Sequence, residues 1–367
     1  MARFKIESES GNARAGVLKT VHGEIKTPFF MPVATKGSVK LLSVEEVELT
    51  KTRCLISNAF ILSIKPGLDV IEKHNGLHKF MNWKKGLFTD SGGFQVLSDA
   101  FCLKLKDEGV LFRNPFTGKK MLFSPEKSIE IQNQLSSDVA MCLDDVPKAG
   151  AKIERIGEAV ERTAEWAKKC KETHENKKQL LFGICQGGTS KKLRKKSAEQ
   201  ISEIGFDGHA IGGLAIGEPL SKMLETVEFT LPFIPKEKPR YLMGVGSVEE
   251  LVKSIEMGID CFDSVFPART GRHGKVFTNA GHFNIGSVVH RFDLKPLDEN
   301  CECFVCKSHT RSYIHHLFKT KEENAKKYIT FHNLFFVQSM MDKIREEISE
   351  GNFSAKSFLE KMKKGDL

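Results

Sequence analysis

Three cysteines, Cys301, Cys303 and Cys306, lie within six residues of one another near the end of the chain. Thiolates at this spacing can converge on one metal ion, and Zn²⁺ favours a tetrahedral site of three sulfurs and one imidazole. The histidines that could supply the imidazole are His309, His315, His316 and His332. The usual finger spacing favours His309, and spacing alone leaves the fourth ligand open. The cluster also raises the question of whether a zinc ion performs chemistry or holds the protein together.

A second set of candidate residues stands where short apolar runs of the chain end. These residues are Asn58, Asp90, Asp144, Gln186, Gly213 and Asp263. If the runs are strands of one barrel, their carboxyl ends meet at one mouth, where barrel enzymes place their active sites. Three converging carboxylates could divide the roles of nucleophile, acid/base and recognition group, and paired carboxylates also cleave glycosidic bonds. The alternative for each aspartate is that it only caps the following helix.

The residues beside these run ends are suited to holding a planar base. Phe94 follows Asp90 and two glycines, and its ring could stack on a nucleobase. Gln186 could make a two-point contact with a base edge, and the glycines around Gly213 expose backbone amides. Glycine-rich turns are weak signals individually, since most of them simply form turns.

The alternation of apolar runs with amphipathic stretches predicts the fold. The runs are residues 28–33, 54–58, 86–90, 139–144, 180–186, 209–213, 241–246 and 261–263. Helical patterns cover residues 124–135, 152–174, 191–204, 220–231 and 247–257, and the helix openers Ser124 and Ser247 support this register. Eight strands alternating with helices predict an α/β protein with a (β/α)8 TIM barrel. The alternation stops near residue 284, and residues 333–362 look helical.

Length, charge and cysteine usage limit the class of protein. The chain has 367 residues, which suits one large barrel, and its net charge of +9 fits a polyanionic partner. The first residues lack an apolar signal-peptide core, and no run approaches about 18 apolar residues, so we expect no membrane association. The remaining cysteines resemble small buried side chains in a reducing, cytoplasmic setting, namely Cys54, Cys102, Cys142, Cys170, Cys185 and Cys261.

As a set, these segments resemble the tRNA-guanine transglycosylases over nearly the whole chain. The most specific segments are residues 90–95 (DSGGFQ), 212–217 (GGLAIG), 241–246 (YLMGVG) and 262–272 (FDSVFPARTGR), together with the cysteine cluster. The resemblance implies a (β/α)8 barrel with a C-terminal zinc-binding subdomain. It also implies an enzyme that exchanges guanine at the anticodon wobble position of tRNA for a 7-deazaguanine, either queuine or 7-aminomethyl-7-deazaguanine.

The resemblance implies a role for each residue at the predicted mouth. Asp263 would attack the ribose C1′, expel guanine and hold the tRNA covalently, while Asp90 would act as the acid/base. Two such displacements retain the anomeric configuration. The base-binding positions would be Asp90, Phe94, Asp144, Gln186, Gly213, Leu214 and Met243, with Phe94 and Met243 on the two faces of the ring. Plain core packing is the alternative for Phe94 and Met243.

The resemblance also implies the zinc ligands and the tRNA contacts. It selects His332 as the fourth ligand beside Cys301, Cys303 and Cys306, which closes the shell around a structural Zn²⁺ and leaves His309, His315 and His316 at the surface or near RNA. The residues that would contact the anticodon loop are Arg269, Arg272, Lys36 and Lys40. The densest run of charge, residues 191–196, is expected to be a solvated helix face.

The resemblance carries expectations about domains and assembly as well. Residues 1–284 are expected to form the barrel with a short N-terminal β segment, and residues 285–367 the zinc subdomain and C-terminal helices. A homodimer is expected because the zinc subdomain lies near the dimer interface in this family. Archaeal relatives that act in the D-arm carry extra C-terminal RNA-binding domains that have no counterpart here, which favours the wobble site. Val146 stands where bacterial members usually carry cysteine, and this favours queuine as a substrate.

Two other classes of protein are alternatives. A zinc hydrolase on a barrel would need a metal with an open coordination position, whereas four candidate ligands lie outside the strand-end set. A non-catalytic RNA-binding subunit would be expected to lack the nucleophile motif, whereas Asp263 is present.

Overall fold

The computed structural model describes residues 3–97 and 100–365. In chain order its strands are β1 (Phe4–Ser10), β2 (Ala13–Thr20), β3 (Gly23–Thr27), β4 (Phe29–Pro32), β5 (Cys54–Asn58), β6 (Gly86–Asp90), β7 (Cys102–Lys106), β8 (Gly109–Arg113), β9 (Lys120–Phe123), β10 (Val139–Met141), β11 (Leu180–Cys185), β12 (Gly208–Ile211), β13 (Arg240–Leu242), β14 (Cys261–Ser264), β15 (Lys275–Thr278) and β16 (Gly281–Asn284).

The helices connect and cover these strands. They are α1 (Val44–Leu49), α2 (Ala59–Leu62), α3 (Leu68–Lys73), α4 (Leu77–Met81), α5 (Gly93–Val96), α6 (Pro125–Leu135), α7 (Ile153–Thr173), α8 (Lys191–Ile204), α9 (Leu220–Thr230), α10 (Val248–Glu256), α11 (Phe266–Arg272), α12 (Phe304–Ser308), α13 (Arg311–Lys319), α14 (Glu323–Ser349) and α15 (Ala355–Lys364). Within the described residues, no helix is both long and apolar enough to cross a membrane.

Eight parallel strands form the barrel, in the order β4-β14-β13-β12-β11-β10-β6-β5. A single parallel bridge between Val33 and Ile56 joins the two outermost strands, and the Ala34 amide donates to the Ile56 carbonyl at 2.7 Å. Each strand lies within or overlaps one of the eight apolar runs. The prediction of an α/β protein with a TIM barrel is therefore confirmed.

The predicted helices agree with the structure, and two of them, α6 and α10, begin at clear capping signals. Ser247 accepts the Glu250 amide while the Glu250 carboxylate accepts the Ser247 amide, and Ser124 accepts the Lys127 amide. The predicted C-terminal helix is wrong in its bounds, since α14 already begins at Glu323 and residues 350–354 separate it from α15. The three-stranded antiparallel sheet β7-β8-β9, inserted after α5, was not predicted.

The N-terminal sheet β1-β2-β3 closes the bottom of the barrel. Phe4, Leu18 and Ile25 from this sheet join the inner core with residues that begin the barrel strands, such as Cys54 and Cys261. Because the bottom is filled with apolar side chains, the carboxyl ends of the strands at the opposite end form the accessible mouth.

Two polar clusters tie the N-terminal sheet to the barrel. Arg14 forms a buried ion pair with Asp260, at the start of β14. His22 and His78 stack with their ring centroids 3.4 Å apart, and both contact the buried carboxylate of Asp138, at 2.9 and 3.3 Å. This histidine pair and carboxylate lie at the bottom, away from the mouth.

The C-terminal elements also pack onto the barrel. From α14, the Gln338 amide donates to the Phe30 carbonyl of β4 at 2.9 Å, and Arg345 donates to the Pro28 carbonyl at 2.5 Å. The long helix α14 therefore connects the region of the cysteine cluster with the barrel wall.

The predicted domain boundary at residue 284 falls at the end of β16.

Candidate active site at the mouth of the barrel

A cavity of about 240 Å³ opens at the carboxyl ends of the barrel strands. Its lining includes seven of the predicted site residues, namely Asp90, Phe94, Asp144, Gly213, Leu214, Met243 and Asp263, and also Val146. The strand order brings β6 and β14 to the two sides of β4 and β5, so Asp90 and Asp263 face one mouth. All three predicted carboxylates, Asp90, Asp144 and Asp263, therefore line one cavity.

Asp90 is held by two neutral donors at the end of β6. Its Oδ1 accepts the Gly92 amide at 2.9 Å, and its Oδ2 accepts the Asn58 side-chain amide at 3.1 Å. Gly92 has φ = +81°, and a Cβ there would lie 2.2 Å from the Cβ of Phe60. Only glycine can make this turn, which fixes the carboxylate relative to the β5 loop.

Asp263 is held differently, because both of its hydrogen bonds go to one oxygen. Its Oδ1 accepts the Tyr241 hydroxyl at 2.5 Å and the Gly244 amide at 2.9 Å. In the part of the chain that the structure describes, its Oδ2 has no hydrogen bond. One oxygen is thus anchored and the other is available to react. Sequence reasoning missed Tyr241, although its inward position on the neighbouring strand could have identified it.

The environments of the three carboxylates set their charge. Burial raises the pKa of Asp90 to about 7, and the nearby charge of Asp263 adds to the shift. Burial also raises the pKa of Asp263, but the hydrogen bonds from Tyr241 and Gly244 oppose that rise. Two carboxyl groups in one mouth are therefore unequal, with a proton more readily kept on Asp90 than on Asp263.

Asp144 is a third buried carboxylate, and it follows β10, the strand that pairs with β6. Burial raises its pKa to about 7, against the hydrogen bond that the Gln186 amide donates to its Oδ2 at 2.6 Å. Gln186 is itself buried behind Asp144, and a Cβ on Gly213 (φ = +64°) would lie 2.3 Å from its Oε1. The glycine lets the next loop close over Gln186, which orients Asp144 toward the cavity.

Asp145, which sequence reasoning missed, anchors the same loop from behind. It is fully buried and accepts from Arg155 at 2.5 and 2.8 Å and from Arg162 at 2.6 Å. Since both arginines belong to α7, the loop that carries Asp144 is fixed to the outer layer of the barrel. The two adjacent acidic residues of this loop thus differ, because Asp145 is paired with cations whereas Asp144 faces the cavity.

Arg194 is the most informative residue that sequence reasoning misplaced. It belongs to the charge run 191–196, which was expected to be a solvated helix face, yet its side chain is fully buried. Its guanidinium donates to the carbonyls of Gly188, Cys185 and Gly212 at 2.6, 3.2 and 2.7 Å. It thereby ties together the loops after β11 and β12, which carry Gln186 and Gly213.

The lysines of the same run do match the expectation. Lys191, Lys195 and Lys196 are exposed and pair with Glu225, Glu199 and Glu161, respectively. The prediction is therefore confirmed for these lysines and wrong for Arg194.

Two side chains could hold a planar ligand across the cavity. Phe94 is 61% exposed, so it is not a core residue, whereas Met243 is half-buried against the inner core of the barrel. Leu214 is buried and offers mainly its backbone. An exposed ring and a thioether in one small cavity suit a flat aromatic ligand.

The predicted tRNA-contacting residues lie on adjacent parts of the rim. Arg269 and Arg272 belong to α11, after β14, and Lys36 and Lys40 follow β4. Among the described residues, none of these four cations has a carboxylate within ion-pair distance. They are therefore available to an anionic ligand at the mouth.

The cysteine cluster lies apart from this cavity and has the arrangement of a metal site. The sulfurs of Cys301, Cys303 and Cys306 lie 3.6, 3.6 and 3.3 Å from Nδ1 of His332. His332 is buried in α14, and its Nε2 donates to the Phe277 carbonyl at 2.7 Å. Because a carbonyl only accepts, the proton is on Nε2 and the Nδ1 lone pair faces the sulfurs. This cluster can hold a metal ion.

The other three histidines lie outside the cluster. His316 is exposed, and His309 is half-buried against the rings of Tyr313 and Tyr328. His315 is buried, and its Nδ1 lies 2.7 Å from the Ile285 carbonyl, so the expectation of a surface position is wrong for this residue. The short apolar face of α13 gives no sequence signal that separates His315 from His316.

The comparisons with known proteins agree with this site. The family model described as Queuine tRNA-ribosyltransferase matches residues 8–364. Three relatives bear the name Queuine tRNA-ribosyltransferase. The protein of Thermotoga neapolitana is 48% identical over 95% of this chain and 95% of its own. That of Halothermothrix orenii is 47% identical over 92% and 91%, and that of Fusobacterium nucleatum is 46% identical over 98% and 96%.

Replacing Arg194 with alanine should strongly destabilise the protein. The change orphans buried carbonyls and opens a cavity, which should cost about 2–4 kcal/mol in the free energy of unfolding. Urea denaturation measures this, with Lys195→Ala on the same helix as the control and an expected change within about 0.5 kcal/mol. Equal stability of the two variants would mean that Arg194 does not hold the loops.

Proposed function

This chain belongs to the queuine tRNA-ribosyltransferase family, and from that premise we propose how its mouth exchanges a guanine in tRNA for a 7-deazaguanine. The activity is that of a pentosyltransferase, a tRNA-guanine transglycosylase. The observation that supports the proposed division of labour is the unequal environment of Asp90 and Asp263. Asp90 keeps a proton near neutral pH, whereas Asp263 has a hydrogen-bonded carboxylate with one free oxygen.

In the first displacement, Oδ2 of Asp263 attacks C1′ of the wobble nucleotide. The bond between C1′ and the base nitrogen breaks, and its electron pair leaves with guanine. Asp90 donates its proton to the departing base and becomes a carboxylate. Tyr241 and Gly244 hold Oδ1 throughout, which aims the attacking oxygen and limits its motion. The tRNA is then linked to Asp263 through its ribose.

The second displacement reverses the chemistry with a new base. The Asp90 carboxylate removes the proton from the incoming 7-deazaguanine, whose ring nitrogen attacks C1′. The bond to Asp263 breaks, and its electron pair returns to the carboxylate. Asp90 is protonated again, so the cycle leaves no net change in the enzyme. Two inversions at C1′ retain the anomeric configuration.

The residues that follow β10, β11 and β12 would select the base. Asp144, oriented by Gln186, would bind the edge of the purine-like ring, while Gly213 and Leu214 offer backbone groups and Phe94 and Met243 cover its faces. Gln186 acts through Asp144, since it is buried behind that carboxylate.

Val146 in the same lining supports queuine as the accepted base, because its side chain is apolar where bacterial relatives usually carry a thiol. Incorporation assays with queuine and with 7-aminomethyl-7-deazaguanine test this preference. Exclusive use of the aminomethyl base would contradict it.

The metal held by Cys301, Cys303, Cys306 and His332 is proposed to be one structural Zn²⁺ per chain. Three thiolates and an imidazole suit Zn²⁺ and leave no open coordination position for a substrate. The cluster is also separate from the cavity lining, so the zinc hydrolase alternative has no support. The ion would tie the cysteine loop to α14, which in turn packs on β4.

The remaining proposals concern organisation and location. Residues 1–284 would be the catalytic barrel, and residues 285–367 the zinc-binding subdomain with the C-terminal helices. Arg269, Arg272, Lys36 and Lys40 would contact the anticodon loop. Among the residues that the structure describes, no cysteine forms a disulfide, which supports a reducing cytoplasm as the place where the enzyme meets tRNA.

A homodimer is proposed because four apolar side chains just before the cysteine cluster are 72–80% exposed, namely Val288, Val289, Phe292 and Leu294. Apolar side chains that cluster on a surface commonly mark a protein interface. Native mass spectrometry at micromolar concentration tests the assembly, and detection of monomer alone would contradict it.

Replacing Asp263 with alanine should abolish base exchange. Incubation with tRNA and radiolabelled guanine should give incorporation by the wild type and a loss of at least about 10³-fold in the variant, because no covalent intermediate forms. Asp69→Asn, which alters an exposed carboxylate on α3, serves as the control and should retain activity. Equal incorporation by the wild type and Asp263→Ala would overturn the mechanism.

The rate of guanine release should depend on the protonation of Asp90. Since burial raises its pKa to about 7, the acid form predominates below pH 7, and single-turnover release should slow about tenfold per pH unit above it. Asp90→Asn should lose this release while still binding tRNA. In Asp144→Asn, guanine release should still slow above pH 7, but the enzyme should bind the free base more weakly. If release in this variant no longer slowed above pH 7, the titrating group would be Asp144 and not Asp90.

Replacing His332 with alanine should remove the metal and destabilise the C-terminal region. Zinc content should fall from about one ion per chain toward zero, since three thiolates alone no longer close the shell. Elemental analysis and thermal unfolding measure both effects. His309→Ala is the matched control, because the His309 ring packs on tyrosine rings and is not one of the clustered ligands, and zinc loss in this variant would contradict the ligand set.

A further inference from the structure

The small sheet β7-β8-β9 has a solvent-facing side that is rich in cations. The register pairs Lys104 with Leu111 and Leu111 with Leu122, and it pairs Arg113 with Lys120. Directly opposed residues in an antiparallel sheet share a face, and so do residues two apart in a strand. Lys104, Lys106, Arg113 and Lys120 therefore lie on one face, which we call the basic sheet face, with Leu111 and Leu122 between them.

These cations are exposed and lack acidic partners. All four are exposed, and among residues 3–97 and 100–365 no carboxylate lies within 4.0 Å of their charged groups. The lysines of α8 provide the contrast, because Lys191, Lys195 and Lys196 are each paired with a glutamate. Exposed acids do occur at the β7-β8 turn, where Asp107 binds Arg162 and Glu108 follows. The basic sheet face thus keeps its positive charge for an external anion.

The opposite face of the sheet fixes its position relative to the mouth. Phe112 and Phe123 are buried, and both rings lie edge-on to Phe60, with centroids 5.0 and 5.1 Å away. Phe60 belongs to α2, directly after Asn58, and it also contacts the turn at Gly92. Since Asn58 and Gly92 both hold Asp90, one aromatic cluster connects the sheet to the catalytic carboxylate.

The sheet completes an arc of free cations around one side of the mouth. Arg269 and Arg272 follow β14, Lys36 and Lys40 follow β4, and the sheet follows β6. Between them, after β5, the exposed Lys65 lies over the ring of Phe116, in the β8-β9 hairpin, with its ammonium 5.0 Å from the centroid. These strands are consecutive around the barrel, in the order β14, β4, β5 and β6.

We propose that the basic sheet face binds backbone phosphates of the same tRNA whose wobble nucleotide occupies the mouth. This inference rests on the proposed function and adds a partner surface to it. The strands span about 13–17 Å, long enough for several phosphates of one RNA strand. The face would hold the anticodon arm on the β6 side while α11 holds it on the β14 side.

The chemistry of the face indicates contact with phosphates rather than with bases. RNA-binding sheets that read bases present aromatic rings for stacking, whereas this face presents leucines between cations. Leucine can pack on ribose, and lysine and arginine neutralise phosphate. The contribution to binding should therefore be independent of RNA sequence and sensitive to salt.

A triple variant, K104Q/R113Q/K120Q, tests the proposal in the full-length protein. The probe is an unmodified tRNA transcript with a wobble guanine. The KM for tRNA should rise at least tenfold while kcat at saturating tRNA stays within twofold. The slope of log Kd against log salt should become shallower by about 0.7–0.9 for each phosphate that the variant no longer neutralises. K104R/K120R should retain wild-type affinity.

The matched control is K191Q/K195Q/K196Q, which removes the same charge from the paired face of α8. It should change the KM less than twofold. A KM for the sheet variant equal to the wild type, or an equal rise in both triple variants, would overturn the proposal. Failure of the proposed function would look different, because the wild type itself would then incorporate no guanine.

Discussion

The chemistry of this barrel depends on how two nearby carboxylates are kept unequal. Asp90 and Asp263 are both withdrawn from water, and burial alone would make both of them neutral. The Tyr241 hydroxyl and the Gly244 amide both donate to Oδ1 of Asp263, while Asp90 receives one amide donor on each oxygen. A nucleophile and an acid thus arise from the same residue type through hydrogen-bond placement.

That inequality requires a rigid backbone at the strand ends, which accounts for the glycines there. Gly92 lets the Asp90 turn lie against Phe60, and Gly213 lets the next loop cover Gln186. Arg194 then fixes carbonyls of the loops after β11 and β12 without using any carboxylate in the cavity. The buried cation belongs to the scaffold of the site, and the acidic groups remain free to titrate.

The sequence predicted the elements whose signals are local. Short apolar runs located the barrel strands, and capping serines located two helix starts within a residue. Tyr241 and Arg194 could not be assigned in this way, because their roles depend on neighbours far along the chain, such as Asp263 and Gly212. The sheet β7-β8-β9 was missed since its exposed leucines and lysines blur the alternation that identifies a strand.

The mouth combines an acidic floor with a basic rim, and the two depend on each other. Carboxylates in the cavity repel the phosphates of an approaching RNA, so affinity has to come from cations outside the reacting centre. Burial lessens that repulsion because it raises the pKa of Asp90 and of Asp144 to about 7, so that about half of each group is neutral at pH 7. The same desolvation that prepares Asp90 to donate a proton therefore also lets an anionic substrate reach Asp263.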